Sequence, residues 1–487
     1  MISIFKQFFF ISPVLILSLS IVLNLLIIIF KRNFFLSFIV TFLGLFSSLF
    51  FFIFLIKNII LYSENEIYFK SINIFFIFLF FLGSMFTCIF SYIWLKGKSF
   101  NKEEFYLLLL ISNIGGCVLF LSSNIFSYYV GIELLSFPLF GMMSYNFFKN
   151  FKNLESSFKY FILSSISSIF LLLGISLIYL SSRSLNYNSL KLISILSTFN
   201  CNQLFLFGLV LSCVSLFIKL SVFPFYLWIS NIYKEISCPV LMYFSNSVKV
   251  LFFVILLKLL FLFSYKNFFM FSKIIKFMSI CSIFIGSILA LFQTNLKRLI
   301  GYSTIISSGY LCIILIFLHQ NHEFHQLSKI YLLGYCLNSL VLFSSMILIS
   351  IFFKDDNNHS FKNYEGFFWK SYILSISIII SLFSIVGLPC TIGFFGKFYI
   401  LKLIIQKNNF ILGFIILFES VLSLYYYFNF IKILFYKKKS CISKNLFIET
   451  FLYKFLKIFI FLFSLIIVFI GFFPICLDNL NYFIFKI

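Results

Sequence analysis

The sequence predicts an all-α membrane protein that crosses the bilayer about fourteen times. Of its 487 residues, 62% are hydrophobic and only 10% are charged, whereas soluble domains are about one half apolar and one quarter charged. Fourteen apolar runs, each long enough to cross the hydrocarbon core, are separated by short polar stretches. Each run is expected to be a helix because backbone groups inside a bilayer must bond within their own segment.

The predicted spans lie in a single integral membrane domain over residues 1–487, because the polar stretches between them are too short to fold alone. In chain order the spans are 10–30, 34–56, 72–95, 105–122, 124–147, 158–181, 204–229, 238–264, 271–292, 299–319, 328–353, 371–405, 409–436 and 452–476.

The seventh and twelfth runs are predicted to be broken helices. In the seventh run Lys219 is followed by Pro224, and in the twelfth Pro389 is followed by Lys397. Proline removes a backbone donor and clashes with the preceding turn, so each helix should kink or unwind there. An offset of five helices reverses the direction of the second broken helix, which predicts two inverted five-helix repeats, approximately 105–264 and 271–436. Ordinary proline kinks are the alternative.

Four ionisable side chains stand near the middle of apolar runs: Glu133, Lys219, Lys249 and Lys397. Each costs about 2.5–3.5 kcal/mol at the bilayer centre on insertion scales, so a functional reason is expected. In apolar surroundings Lys loses its proton more readily and Glu keeps its proton more readily, and neutralising one partner changes the other. The pattern therefore favours a proton relay over stray charges that are merely tolerated.

Three further residues are secondary candidates for the relay. Glu419 is also in mid-span, where it either pairs with a lysine or adds to the proton path. Glu155 and Lys159 stand together where the sixth run begins, and a functional and a structural role are equally supported. Lysines near span ends are expected to extend their ammonium groups to the membrane surface, and these are Lys258, Lys432 and Lys457.

Composition and spacing argue against several other functions. The net charge of +23 is spread over short loops, so nucleic acid is not an expected partner. The eleven cysteines contain no CxxC pair, so no metal centre is predicted. Membrane haem is disfavoured because the histidines stand in or beside loops, and the cluster among them favours a solvated loop over a metal site. The histidines are His319, His322, His325 and His359.

The distribution of Lys and Arg predicts the orientation. One alternate set of loops carries more of these residues than the other set and both tails, so both termini are expected on the periplasmic side. The first run is too long for a signal peptide and ends at Lys31-Arg32 without a small-residue cleavage site.

Local motifs follow the same order as in a known family. They are Gly131-Ile132-Glu133-Leu134, Leu154-Glu155 with Lys159-Tyr160, Phe217-Ile218-Lys219-Leu220, Val222-Phe223-Pro224-Phe225, Lys249, Gln293-Thr294-Asn295-Leu296-Lys297-Arg298-Leu299-Ile300-Gly301-Tyr302-Ser303, Gly393-Phe394-Phe395-Gly396-Lys397-Phe398 and Tyr425-Tyr426-Tyr427. From about Asn33 to Ile475 the chain resembles the antiporter-like subunits of respiratory complex I. Its length and Tyr-rich thirteenth helix resemble the shorter branch of that family rather than the longer subunit L.

The resemblance implies a subunit that moves protons across the inner membrane of a bacterium, with an organelle inner membrane as the alternative. It implies that Glu133 and Lys219 form a switching pair, that Lys249 is the central relay and that Lys397 is the exit-side group. No cofactor is expected in this chain, because NADH, FMN, iron–sulfur clusters and quinone would bind other subunits. The expected partners are the neighbouring antiporter-like subunit M, the small subunit K and the lipid bilayer.

The chain departs from the family pattern in four places. Many members have His where Ser307 and Tyr226 stand, so the proton path here would use hydroxyls or water. The turn at 235–239 lacks the family's Gly-Ala-Pro, and Glu419 lies outside the pattern. A cation/proton antiporter subunit of the Mrp type is the first alternative function, and a passive membrane scaffold is the second.

Overall fold

The computed structural model describes residues 2–60, 67–98, 101–145, 151–196, 199–318, 321–353, 359–436 and 451–473. These residues form α-helices and two isolated bridges, without a β-strand among them. The helices are α1 (Ile2–Phe30), α2 (Phe34–Ile60), α3 (Ile67–Lys96), α4 (Glu103–Leu121), α5 (Ile125–Ser144), α6 (Phe151–Ser182), α7 (Tyr187–Leu196), α8 (Phe199–Leu220), α9 (Leu227–Glu235), α10 (Cys238–Tyr243), α11 (Lys249–Leu260), α12 (Tyr265–Leu291), α13 (Leu296–Ile316), α14 (Asn321–Ser350), α15 (Tyr372–Val386), α16 (Ile392–Gln406), α17 (Phe410–Phe435) and α18 (Phe451–Phe472).

The predicted fold class is confirmed. Within the described ranges, 13 helical segments are long and apolar enough to cross a membrane, or 14 if one bent pair counts as a span. That pair joins the short helical segment Phe361–Trp369 to α15 at an angle of 119°.

The chain divides into two compact units. Unit 1 contains Met1–Ser221 and Asn246–Ile274, and unit 2 contains Val222–Ser245 and Ile275–Ile487. The chain therefore changes unit within the break that follows Lys219 and within the segment that precedes Lys249. These units do not test the two predicted inverted repeats, which stay a prediction.

Small residues allow close helix packing inside unit 1. The backbones of α6 and α8 meet at Gly174 and Gly208, where a Cβ atom on either residue would lie 2.7 Å from the carbonyl oxygen of the other. The backbones of α4 and α5 meet at Gly115, where a Cβ would lie 2.7 Å from the nitrogen of Leu135. Such contacts between small residues are typical of membrane helices.

Both predicted helix breaks are present. Helix α8 ends at Leu220, Ser221 has a positive φ of 57°, and α9 begins six residues later at Leu227. The twelfth predicted run is two helices of 15 residues each, α15 and α16. Gly387 ends α15 with a φ of 87°, which a residue without a side chain adopts most easily. In unit 2, α14 packs against α15, α16 and α18.

A third irregularity was not predicted from the sequence. Residues Phe244–Val248 form a π-helix between α10 and α11, so the segment before Lys249 is not a regular α-helix. Single π-helical turns within α-helices are rare and frequently lie at functional sites.

Candidate functional site

Lys219 lies in the last turn of α8 and is buried in unit 1, with 6% of its surface exposed. Its Nζ has no hydrogen-bond partner among the described residues, and it lies 5.6 Å from the centre of the Phe252 ring. A buried ammonium without a hydrogen bond is costly unless it is neutral or solvated by water. The side chain is therefore suited to exchange a proton.

Glu133 lies on α5, and its charge influences Lys219. Its carboxylate acts on Lys219 through its charge, yet these two described residues form no ion pair. Oε1 is buried without a hydrogen bond to any residue in the described ranges, and the Ser136 hydroxyl donates to Oε2 over 3.5 Å. Pro138 stands inside the same helix, one turn further on. The acid and the lysine of unit 1 are thus coupled and incompletely bonded.

Lys249 is the first residue of α11 and is 7% exposed. The π-helix before it packs tightly against α3: the Ser247 hydroxyl donates to the carbonyl of Phe80 over 2.9 Å, and a Cβ on Gly83 would collide with that hydroxyl. The irregular backbone that positions Lys249 is therefore held by contacts within unit 1.

Lys397, in unit 2, has two hydrogen-bond acceptors, in contrast to Lys219. Lys397 Nζ donates to Glu419 Oε2 over 2.8 Å and to the carbonyl of Val386 over 2.9 Å. The hydroxyl of Tyr310 donates to the same Oε2 over 2.6 Å, and its ring centre lies 5.3 Å from Nζ. Of the two roles left open for Glu419, the structure shows the pairing with a lysine.

The pair opens onto a cavity of about 60 Å³ within unit 2. A buried water needs roughly 10–15 Å³ and two to four polar partners, so the cavity has room for several waters. Asn338 also lines it, and its buried Oδ1 lacks a hydrogen bond among the described residues. The polar residues that line the cavity are Ser245, Ser303, Thr304, Ser307, Tyr310, Tyr331, Tyr335, Asn338, Ser339, Ser384, Lys397, Glu419 and Tyr426.

The two departures from the family's histidines lie in different places. Ser307 lines the cavity of unit 2, where its hydroxyl donates to the carbonyl of Thr304 over 2.8 Å. Tyr226 lies in the break that precedes α9, and its ring stacks on that of Phe223 at 6.2 Å between centres.

The secondary pair on α6 is exposed rather than buried. Lys159 Nζ and Glu155 Oε1 lie 2.5 Å apart, with side chains 50% and 64% exposed. The two residues are partners of each other on the surface of the chain, and neither lies in the core of unit 1.

Lys258 contacts the end of a neighbouring helix. Its ammonium donates to the carbonyls of Leu119 and Phe120, over 3.0 and 3.2 Å, and the expectation that it extends to the membrane surface stays a prediction. These carbonyls belong to the last turn of α4, where the helix has unpaired acceptors and a partial negative charge. Lys258 therefore caps the C-terminal end of α4.

A buried polar cluster in unit 2 was missed. Lys297, the second residue of α13, is fully buried and donates to the carbonyl of Ile236 over 2.7 Å. His359 is also buried, between the Cys238 thiol at 3.3 Å and the Tyr364 hydroxyl at 2.6 Å. Burial, together with the Lys297 ammonium, holds the pKa of His359 well below its ordinary value. The polar string that begins at Gln293 was the available signal.

The other histidine prediction falls largely outside the described structure. His319 is not among the described residues, nor are the side chains of His322 and His325. Among the described residues, no group of three His, Cys, Asp or Glu side chains could hold a metal ion.

Together, the interrupted helices and the buried lysines beside them define an all-helical, multi-pass membrane protein of the ion-translocating type. The family model described as NADH:quinone oxidoreductase/Mrp antiporter, transmembrane, matches residues 122–423. The chain belongs to this family.

Two relatives are similar over most of their length. Subunit N of NADH-quinone oxidoreductase from Buchnera aphidicola subsp. Acyrthosiphon pisum (strain APS) is 38% identical over 425 residues, which cover 86% of each chain. The same subunit from Buchnera aphidicola subsp. Schizaphis graminum (strain Sg) is 38% identical over 423 residues, again 86% of each chain.

Three solved structures share the fold. A chain of respiratory complex I from Thermus thermophilus has a TM-score of 0.75 at 21% identity, covering 95% of this chain and 97% of that one. An archaeal membrane-bound sulfane sulfur reductase has a TM-score of 0.81 at 22% identity, with 98% and 96% covered. The Mrp complex from Dietzia sp. DQ12-45-1b has a TM-score of 0.79 at 14% identity, with 96% of each chain covered.

Proposed function

We propose that this chain is the N-type membrane subunit of a bacterial NADH:quinone oxidoreductase and that it translocates protons. The observation that carries the proposal is the 38% identity to subunit N over 86% of both chains. The enzyme is the whole complex: other subunits would hold NADH, FMN, iron–sulfur clusters and quinone. This chain would contribute the membrane path of the proton, next to subunits M and K, with both termini in the periplasm.

The proton would be carried by Glu133, Lys219, Lys249 and Lys397. Lys219 supports this role because its buried ammonium has no hydrogen-bond partner among the described residues and is coupled to Glu133 by charge. When Glu133 is ionised it favours the charged lysine, and when it is protonated the lysine releases its proton more readily. Protonation of Glu133 would thereby promote release of the proton from Lys219.

Lys249 would relay the proton, and Lys397 would release it toward the exit. The helix breaks beside Lys219 and Lys397 support a path through water, since freed backbone groups at membrane depth are tolerated where they line a water-filled cavity. The inverted five-helix repeats would place one interrupted helix in each half of the chain. Glu155 and Lys159, which are exposed on α6, would lie against a neighbouring subunit.

Purification of the native assembly tests the membership. Mass spectrometry should find the other subunits of an NADH:quinone oxidoreductase with this chain. Co-purification with antiporter subunits alone would contradict the proposal and favour the Mrp-type alternative, which the family description and the fold of the Dietzia complex also allow.

Replacement of the acid tests the mechanism. In the assembled enzyme reconstituted in liposomes, Glu133→Gln removes the charge that controls Lys219 and should lower proton pumping by about a hundredfold, the usual worth of a proton-transfer group. A Ser127→Ala variant is the matched control, because within the described part of the chain that hydroxyl donates only to the carbonyl of Asn124, the residue before α5. If Glu133→Gln pumps protons as well as the control variant does, Glu133 is not part of the mechanism.

A further inference from the structure

The pair of Lys397 and Glu419 is a buried ion pair at the edge of the cavity of unit 2. Its side chains are 11% and 3% exposed, so little solvent weakens the attraction between them. Glu419 Oε2 accepts two hydrogen bonds, from the Lys397 ammonium and from the Tyr310 hydroxyl, and the cavity is lined by all three side chains. The geometry thus joins a proton donor, an acceptor and space for water.

We propose that Glu419 is a proton-accepting group of the relay, and that it takes its proton directly from Lys397. This inference rests on the proposed function and deepens it at one site. The N–H bond of the ammonium breaks and an O–H bond forms on Oε2, over the 2.8 Å that separates the two atoms. The charged pair becomes a neutral amine and a neutral carboxylic acid, so the net charge of the site is unchanged.

The second step returns the acid to its starting state. The carboxylic acid gives its proton to a water in the cavity, which leaves as hydronium, and Glu419 is again a carboxylate. The neutral amine can keep its hydrogen bond to the carbonyl of Val386 until a new proton reaches it from the relay. The Tyr310 hydroxyl favours the carboxylate before and after the transfer, because a hydrogen bond to the charged form stabilises it.

The two units differ in the contact between their buried lysine and glutamate. In unit 1, Lys219 and Glu133 are separated and incompletely bonded, whereas in unit 2, Lys397 and Glu419 are in direct contact. A proton can pass between the members of the second pair without a bridging water, so the carboxylate of Glu419 controls when Lys397 releases its proton.

The test uses the assembled enzyme in liposomes, with NADH and a short-chain quinone as substrates and a pH-sensitive dye as the readout of pumping. Glu419→Gln keeps the shape of the side chain and removes its charge. The matched control is Ser420→Ala on the same helix, because among the residues that the structure describes the Ser420 hydroxyl donates only to the carbonyl of Leu417. Assembly of each variant is measured on a native gel.

We expect Glu419→Gln to lower proton pumping about tenfold or more relative to Ser420→Ala. Difference infrared spectra during turnover should show a protonated carboxyl band in the native enzyme that is absent from Glu419→Gln. Pumping at the control level with an unchanged infrared spectrum would overturn the inference. If Glu133→Gln and Lys219→Ala abolish pumping while Glu419→Gln does not, the inference fails and the proposed function stands.

A second variant covers the case in which Glu419→Gln does not assemble. Tyr310→Phe keeps the ion pair and removes one hydrogen bond to the carboxylate. A proton-accepting Glu419 requires the pH optimum of pumping to shift in this variant. A pH profile that coincides with that of the native enzyme would mean that the ion pair is only structural, and would overturn the inference.

Discussion

Lys397 donates one hydrogen bond to Glu419, over 2.8 Å, and another to the carbonyl of Val386, over 2.9 Å. Val386 is the last residue of α15, and Lys397 lies on α16, beyond the break. Because a helix end leaves carbonyl groups without an intrahelical partner, the interruption itself provides one acceptor for the lysine. The broken helix and the buried charge are parts of one local structure.

The Lys397–Glu419 pair should show strong coupling in stability. Lys397→Met leaves a buried carboxylate without its counter-charge and should destabilise the chain by about 3–5 kcal/mol. The double variant Lys397→Met/Glu419→Leu removes both charges and should recover most of that loss. Thermal denaturation of the purified complex, followed for this subunit, measures the difference. Additive losses in the double variant would show that the two groups are not coupled.

Gly387→Ala should weaken the same region. Its φ of 87° is unfavourable for a side chain by about 1–2 kcal/mol, and the new Cβ would lie 3.0 Å from Cδ of Lys397. We expect a lower denaturation temperature and reduced pumping. Gly97→Ala is the control, because a Cβ there meets nothing within 4 Å. Equal behaviour of the two variants would show that the conformation at Gly387 is unimportant.

Stability should fall in mild acid because of His359. Burial and the charge of Lys297 hold its folded pKa well below its ordinary value, while in the unfolded chain the pKa is about 6.5. Above about pH 6.5 neither state is protonated, and below it the unfolded state binds a proton that the folded state refuses. The free energy of unfolding therefore decreases progressively as the pH falls from about 6.5 toward the pKa of His359 in the folded state. His359→Gln should flatten the change in denaturation temperature between about pH 8 and pH 5, and an unchanged slope would contradict this.

The sequence alone was sufficient for the fold class and for both broken helices. Proline and glycine near Lys219 and Lys397 mark the breaks through local backbone chemistry, which needs no knowledge of distant residues. The π-helix at 244–248 was not predicted because its residues, Phe-Ser-Asn-Ser-Val, include neither proline nor glycine.

The contacts made by individual charges were harder to predict. The partner of Glu419 depends on which faces of α16 and α17 meet, and helical periodicity does not determine that. Lys258 stands near a span end, and its acceptors at the end of α4 belong to another helix, which the sequence around Lys258 does not reveal. Lys297 and His359 are 62 positions apart in the numbering, and only the fold brings the start of α13 and the segment that contains His359 together.

The most direct test of the central claim compares two lysines of unit 1, each replaced by alanine. Lys219 has no hydrogen-bond partner among the described residues, whereas Lys258 is bonded to two carbonyls at the end of α4. The measurement is the number of protons pumped per NADH oxidised by the reconstituted enzyme, corrected for assembly. Lys219→Ala should lower this ratio, while Lys258→Ala should lower the stability of the complex and leave the ratio of the assembled fraction unchanged. An unaltered ratio in Lys219→Ala would contradict the claim that these buried charges carry the proton.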